Sequence, residues 1–196
     1  MKADSSVNSC AKWLSASPAI FELDTGASKD VRVTLQPINS PEAGKVKWAI
    51  MAVRMPEGKK YADSVSSQGE GFNIIRNFQF VIYVFQTPST LTTSKAEVTA
   101  FKDITKPVDT IRTIAIEAKN TGQTILDCNS EIEVVNTVTG KEQKLNMIEF
   151  TLLPGLSRQT TFILPKLEKG KYKLKGLVDF GSKIENKSAE MELEIK

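Results

Sequence analysis

GKYKLKGLVDFG, residues Gly170 to Gly181, is the stretch whose reading decides the fold. Tyr172, Leu174, Gly176 and Val178 fall on one side of an extended chain, and Lys171, Lys173 and Lys175 on the other. Alternation of period two predicts a β-strand with one dry and one wet face. The closing AEMELEIK repeats it, with Met191, Leu193 and Ile195 facing in and Glu190, Glu192 and Glu194 facing out. Paired antiparallel, the two strands set a row of lysines beside a row of glutamates. Each such cross-strand pair is worth about 0.2–1 kcal/mol, which helps fix register. The basic face has a second reading, a seat for an anionic polymer, but the glutamates would cancel its field.

Working backwards, short runs of Val, Ile, Thr, Phe and Tyr alternate with Gly, Pro, Asn and Asp, and no amphipathic helix is evident. Strands are predicted over Ala96–Phe101, Thr110–Ala118, Glu131–Asn136, Asn146–Leu153 and Gln159–Leu164. Asn120-Thr121-Gly122 and Thr139-Gly140 read as turns. Seven strands in about 100 residues is the size of an immunoglobulin-like sandwich. Leu167-Glu168-Lys169-Gly170-Lys171-Tyr172 has the order of a tyrosine corner, in which the hydroxyl bonds back to the preceding loop. A plain core tyrosine is the alternative.

The first half is less regular. Ile20–Leu23 and Val31–Gln36 read as short strands around a turn at Asp24-Thr25-Gly26, and Val46–Arg54 alternates. Ala11–Ser15, around Trp13, is a further candidate strand. Pro56 to Gly71 is polar, without periodicity, and reads as a loop. Thr87-Pro88-Ser89-Thr90 breaks the last strand and reads as a linker. The expected fold is all-β: two immunoglobulin-like β-sandwich domains in tandem, residues 1–88 and 89–196. The first has too few strands for a complete sandwich. Either its beginning is missing, the preferred reading, or it is open and borrows a strand through an unpaired edge.

Composition excludes several chemistries. Net charge is +3 and histidine is absent. A nearly balanced charge, spread over both halves, argues against a nucleic-acid partner. Without histidine there is no Ser-His-Asp or Cys-His site and no His-based metal site. The two cysteines, Cys10 and Cys128, cannot make a four-thiolate centre. They lie in different halves and are expected to be free thiols rather than a disulfide. Met1-Lys2-Ala3-Asp4 leads into polar residues, so no leader peptide is legible: either the protein is cytoplasmic, or a leader has been removed or is missing.

Other short motifs fail on context. Asp179-Phe180-Gly181 spells the kinase metal-binding triplet without a glycine-rich loop or His-Arg-Asp, and reads as a strand end and turn. Gly69-Glu70-Gly71 lacks the strand–helix setting of a phosphate loop. Asn186-Lys187-Ser188 matches a glycosylation acceptor by chance composition before a strand. Asp24, Asp30 and Asp103 fall in loops and read as solvated charges, since paired acid–base work needs two carboxylates aimed at one bond. No catalytic site, cofactor or metal is expected.

The most apolar run is FQFVIYVFQTPST, Phe78 to Thr90. It is far shorter than the roughly 20 residues a membrane-spanning helix needs. Phe78, Phe80, Ile82 and Val84 lie on one face, and Gln79, Val81, Tyr83 and Phe85 on the other. Two readings stand. One is a strand buried on both sides, with Tyr83 and Phe85 against the second domain. The other is an edge strand that docks an extended segment of a partner protein. Candidate partner-binding residues are Phe78, Phe80, Ile82, Tyr83 and Val84.

The order of features resembles the periplasmic pilus-assembly chaperones, a family with two immunoglobulin-like domains. The resemblance rests on Pro18 to Val33, on Lys47 to Pro56 as a strand ending in proline, and on Phe80 to Pro88 as the last strand before the linker. In the second half it rests on the turns Asn120-Thr121-Gly122, Leu153-Pro154-Gly155 and Gly170-Lys171-Tyr172. The resemblance implies a non-enzymatic chaperone of the bacterial envelope, periplasmic or at the cell surface. Its last first-domain strand would lend Phe78, Phe80, Ile82 and Val84 to an incomplete pilus subunit. Tyr83 stands where the family usually has a lysine that anchors the subunit's C-terminal carboxylate. The family's first strands, with a second anchoring basic residue, have no counterpart. A structural or adhesive cell-surface module is the alternative function.

Overall fold

The computed structural model describes residues 8–55, 78–182 and 184–195. The described residues are all-β, with twelve strands and two short 3-10 turns. The chain divides into two compact units, Met1–Gln86 and Thr87–Lys196.

The second unit is a β-sandwich. One sheet holds β5 (Ala96–Asp103), β6 (Thr113–Asn120) and β10 (Ser157–Ile163), in the order β10-β6-β5. The other holds β7 (Leu126–Asn136), β8 (Glu142–Lys144), β9 (Ile148–Leu152), β11 (Gly170–Asp179) and β12 (Lys187–Ile195). Its order is β12-β11-β7, after which β7 pairs both β8 and β9. All pairings are antiparallel, and β6 lies beside β10 and β7 beside β11. Such non-consecutive neighbours mark Greek-key crossovers. Both sheets feed one core, with Ile114, Ile116 and Phe162 from the first and Ile132, Val134, Leu174 and Val178 from the second. Burying one such side chain contributes about 1.5–3 kcal/mol.

The alternation in GKYKLKGLVD is realised: Tyr172, Leu174, Gly176 and Val178 are buried and the lysines exposed. Lys171, Lys173 and Lys175 pair with Glu194, Glu192 and Glu190. The ion pair that forms is diagonal, Lys173 Nζ to Glu190 Oε2 at 2.7 Å. Tyr172 Oη donates to the Glu168 carbonyl at 2.9 Å, so the corner reading holds over the plain core tyrosine. Gly181 N–H donates to Asp179 Oδ1 at 2.8 Å, which makes Asp179-Phe180-Gly181 a turn with Phe180 in the core.

Asn120 organises the end of the sandwich at which β7 begins. Fully buried, its Nδ2 donates to the carbonyls of Thr124 and Leu152 at 2.8 and 2.9 Å, and its Oδ1 accepts from Gly122 N–H at 2.9 Å. Gly122 is required there. A Cβ would lie 2.5 Å from Lys95 N and 2.7 Å from the Thr93 carbonyl oxygen.

The first unit is sparser. β1 (Leu14–Ser17) pairs β2 (Arg32–Leu35), and β3 (Lys47–Arg54) pairs β4 (Gln79–Gln86). The segment around Trp13 is a 3-10 turn, Ala11–Trp13, running into β1. Ile20–Leu23 is not a strand: Ile20 and Leu23 are exposed, and without an apolar face to cover the stretch gains no ladder. The turn after it forms, with Ala27 N–H donating to the Asp24 carbonyl at 3.0 Å. Among the described residues the buried apolar cluster of this unit is Cys10, Trp13 and Ala49. The loop reading of Pro56–Gly71, and with it Gly69-Glu70-Gly71, lies outside the described residues.

Candidate functional site

The β3–β4 hairpin is built by β-branched and aromatic residues on both arms. Its register sets Val53 opposite Phe80, Met51 opposite Ile82, Ala49 opposite Val84, Ile50 opposite Tyr83 and Trp48 opposite Phe85. Toward its Lys47–Gln86 end one face is covered by the Cys10–Trp13–Ala49 cluster. The segment before that cluster also occupies the outer edge of β3: Trp48 N–H donates to the Asn8 carbonyl and Cys10 N–H to the Trp48 carbonyl, at 2.9 and 3.0 Å.

β4 is different. Among the described residues its one strand neighbour is β3. Met55 N–H donates to the Phe78 carbonyl at 3.1 Å, which fixes the phase of the ladder. In an antiparallel pair, residues alternate between turning both backbone groups toward the neighbour and turning both away. Phe78, Phe80, Ile82, Val84 and Gln86 therefore bond to β3. Gln79, Val81, Tyr83 and Phe85 turn their N–H and C=O toward the open edge.

Side chains on both faces of this strand are exposed. Phe80 is 60% and Ile82 46% exposed on one face, and Tyr83 63% and Phe85 42% on the other. Within the first unit, then, the described residues do not bury Tyr83 and Phe85. The Tyr83 and Phe85 rings run nearly parallel, with centroids 6.5 Å apart, and form a small aromatic platform. Of the residues singled out in the sequence, Phe78, Phe80 and Ile82 share one exposed face, Tyr83 lies on the opposite face, and Val84 is half-buried. Phe78 lies one residue before β4, with its carbonyl in the ladder. Sequence reasoning passed over Val81, Phe85 and Ile50, which are exposed on the Tyr83 face. The signal for them was present: the run is apolar on both faces from Val81 to Phe85.

Charge on the hairpin sits at its two ends, Arg54 beside Gln79 at one and Lys47 beside Gln86 at the other. Lys47 is 1% exposed and pairs with Glu42, which also takes a 2.6 Å hydrogen bond from Lys45. Those two lysines, Lys45 foremost, hold the Glu42 carboxyl down to about 2. The loop carboxylates Asp24 and Asp30 are exposed, and Asp103 pairs with Arg112 at 2.7 Å. Cys10 and Cys128 are buried free thiols. Burial first, and then Asp127 and Asp179, push Cys128 up to about 12. Among the described residues no group of three or more Cys, Asp or Glu converges on a point where a metal would sit, and no helix is long and apolar enough to cross a membrane.

No protein-family model matches the chain, and no curated protein matches it. Solved structures that superpose on part of it include the β-glucosidase EmGH1 from Erythrobacter marinus, at 10% identity and TM-score 0.37 over 50% of this chain and 15% of that one. A β-D-glucoside glucohydrolase from Trichoderma reesei superposes at 16% identity and TM-score 0.36, over 55% of this chain and 19% of that one. A β-glucosidase from Kluyveromyces marxianus does so at 16% identity and TM-score 0.33, over 55% and 15%. The chain thus spans less than a fifth of the length of each of these enzymes. These superpositions assign neither a family nor an activity to the chain.

Proposed function

We propose that the chain is a non-enzymatic binding protein that takes up an extended segment of a partner protein by β-strand addition along β4. The observation that carries this reading is the edge of β4 that has no strand neighbour among the described residues. Four residues, Gln79, Val81, Tyr83 and Phe85, present backbone donors and acceptors between two exposed apolar faces. A guest strand would satisfy those groups, and its alternate side chains would pack beside the Phe80–Ile82 and Tyr83–Phe85 rows. With no histidine, the chain also lacks the commonest general base near neutral pH.

The resemblance to pilus-assembly chaperones gives the partner its class: an apolar strand of a pilus-type subunit, in the bacterial envelope. Two immunoglobulin-like domains, of which the first offers its last strand, belong to the same proposal. The test is binding of a synthetic peptide copied from an apolar strand of a pilus-type subunit, followed by fluorescence anisotropy. Ile82→Asp sets a charge among the rungs and is expected to abolish binding, while far-UV circular dichroism shows the second unit still folded. Undiminished binding by that variant would overturn the proposal and favour an adhesive module that uses another surface.

A further inference from the structure

We infer that one end of the second unit, built by loops 104–112, 137–141 and 164–169, docks on an anionic membrane surface. These loops belong to the other unit from β4, and their docking is independent of strand addition.

Topology gathers the three loops. β6 starts beside the end of β10, with Thr113 opposite Ile163, and Asp103 at the end of β5 lies opposite Ile114. In the second sheet β11 starts beside the end of β7, with Tyr172 opposite Asn136. Segment 164–169 runs from the end of β10 to the start of β11, so it joins these two sheet ends. Backbone bonds tie the loops to their neighbours. Leu164 N–H donates to the Arg112 carbonyl at 2.9 Å, and Thr137 N–H to the Lys171 carbonyl at 3.0 Å.

This end holds the four most exposed large apolar side chains among the described residues of the unit: Val108, Val138, Ile163 and Ile111. Val108 is 87% and Val138 83% exposed, each inside a hydrogen-bonded turn. Asp109 N–H donates to the Lys106 carbonyl and Gly140 N–H to the Asn136 carbonyl, both at 2.9 Å. Turn chemistry favours Gly, Pro, Asn, Asp or Ser at such positions, so it gives no reason for valine. The turns are also pinned by side chains. Asp103 Oδ1 accepts from Thr105 N–H at 2.8 Å, and Asn136 Oδ1 from Val138 N–H at 2.9 Å and Thr139 N–H at 3.0 Å.

The same loops carry a lysine excess. Lys106, Lys141, Lys166 and Lys169 are exposed there against Asp109 and Glu168, while Arg112 is taken up by Asp103. Of the loops at the opposite end, 121–125 and 153–156 carry no charge. Apolar tips among cations suit an anionic interface. The two valines stand on hairpins of different sheets, and facing sheets pack about 10 Å apart. A protein partner would need a separate hollow for each tip. A lipid surface needs none: both tips enter the headgroup boundary while the lysines meet lipid phosphates.

The test is co-sedimentation of the full chain with vesicles of phosphatidylglycerol and phosphatidylcholine in equal parts, against phosphatidylcholine alone. Binding is expected to the anionic vesicles, with little to the neutral ones, and should fall with added salt. Lys106→Gln with Lys166→Gln should weaken it about thirtyfold, the equivalent of about 1 kcal/mol per lysine. Lys95→Gln, at the opposite end, should leave it in place. Val108→Ser with Val138→Ser should weaken it about tenfold, with far-UV circular dichroism unchanged. An environment-sensitive dye on Val108→Cys should shift to the blue on anionic vesicles, and one on Gln123→Cys should not; the native cysteines are buried. No binding to anionic vesicles, or equal binding to neutral ones, would overturn the docking. Binding untouched by the paired valine changes would place the apolar contact elsewhere and overturn it too. Binding to soluble polyglutamate in place of vesicles would make the occupant an acidic protein and overturn the membrane assignment.

Discussion

The ammonium of Lys47, on a side chain almost sealed from solvent, ends against the carboxylate of Glu42. Hydrogen bonds from Lys45 and Lys47 hold that carboxyl at about 2, below its ordinary 4.5. A carboxyl depressed on folding contributes stability that is full above 4.5 and is lost as pH falls from there through 2. Both tryptophans, Trp13 and Trp48, belong to the first unit, so their fluorescence reports that unit alone. Tryptophan emission is expected to show the first unit weakening across that pH window. Glu42→Gln should flatten the dependence, and an unchanged acid profile in that variant would refute the assignment.

Asn120→Ala strips three backbone groups of their side-chain partner in a fully buried site. Each unsatisfied buried group costs about 1–3 kcal/mol, so a loss of about 3 kcal/mol is expected for the second unit. Urea unfolding followed by far-UV circular dichroism measures it. A loss below about 1 kcal/mol would mean that the network is not what closes this end of the sandwich.

At Gly122 the expected damage has a different cause. The added methyl of Gly122→Ala meets backbone and no flexible side-chain tip, so the close approach of the 93–95 backbone must open. A destabilisation of about 3 kcal/mol is expected. Gly44→Ala, where a Cβ meets nothing, is the control and should leave the unfolding midpoint in place.

Tyr172→Phe keeps the ring in the core and removes only the hydroxyl that donates to Glu168. A loss of about 1 kcal/mol is expected, read in the same urea titration. If the midpoint does not move, the hydroxyl is not holding the 168–172 corner.

The last two strands of the second unit were legible because their faces are decided locally. Lys-Tyr-Lys-Leu-Lys and Glu-Met-Glu-Leu-Glu leave one choice of inside and outside, and the observed register sets each lysine across from a glutamate. The short β8 escaped notice because Glu142-Gln143-Lys144 is wholly exposed and polar, and only its pairing to β7 makes it a strand. Ile20–Leu23 misled for the opposite reason: apolar residues suggested a strand where nothing buries them. At the candidate site, the two-sided apolar character of Val81–Phe85 was readable. Which residues turn their backbone outward was not, since that phase depends on a tertiary pairing such as Met55 with Phe78.

Among the described residues, seventeen buried apolar groups hold the second unit and three hold the first. An occupant of the β4 edge would add its binding energy to the first unit, whose described core is the smaller. An occupant at a hundred times its dissociation constant adds about 2.7 kcal/mol to the form that binds it. Occupancy should then register as an upward thermal shift in the tryptophan signal, while the melting of residues 87–196 stays where it was.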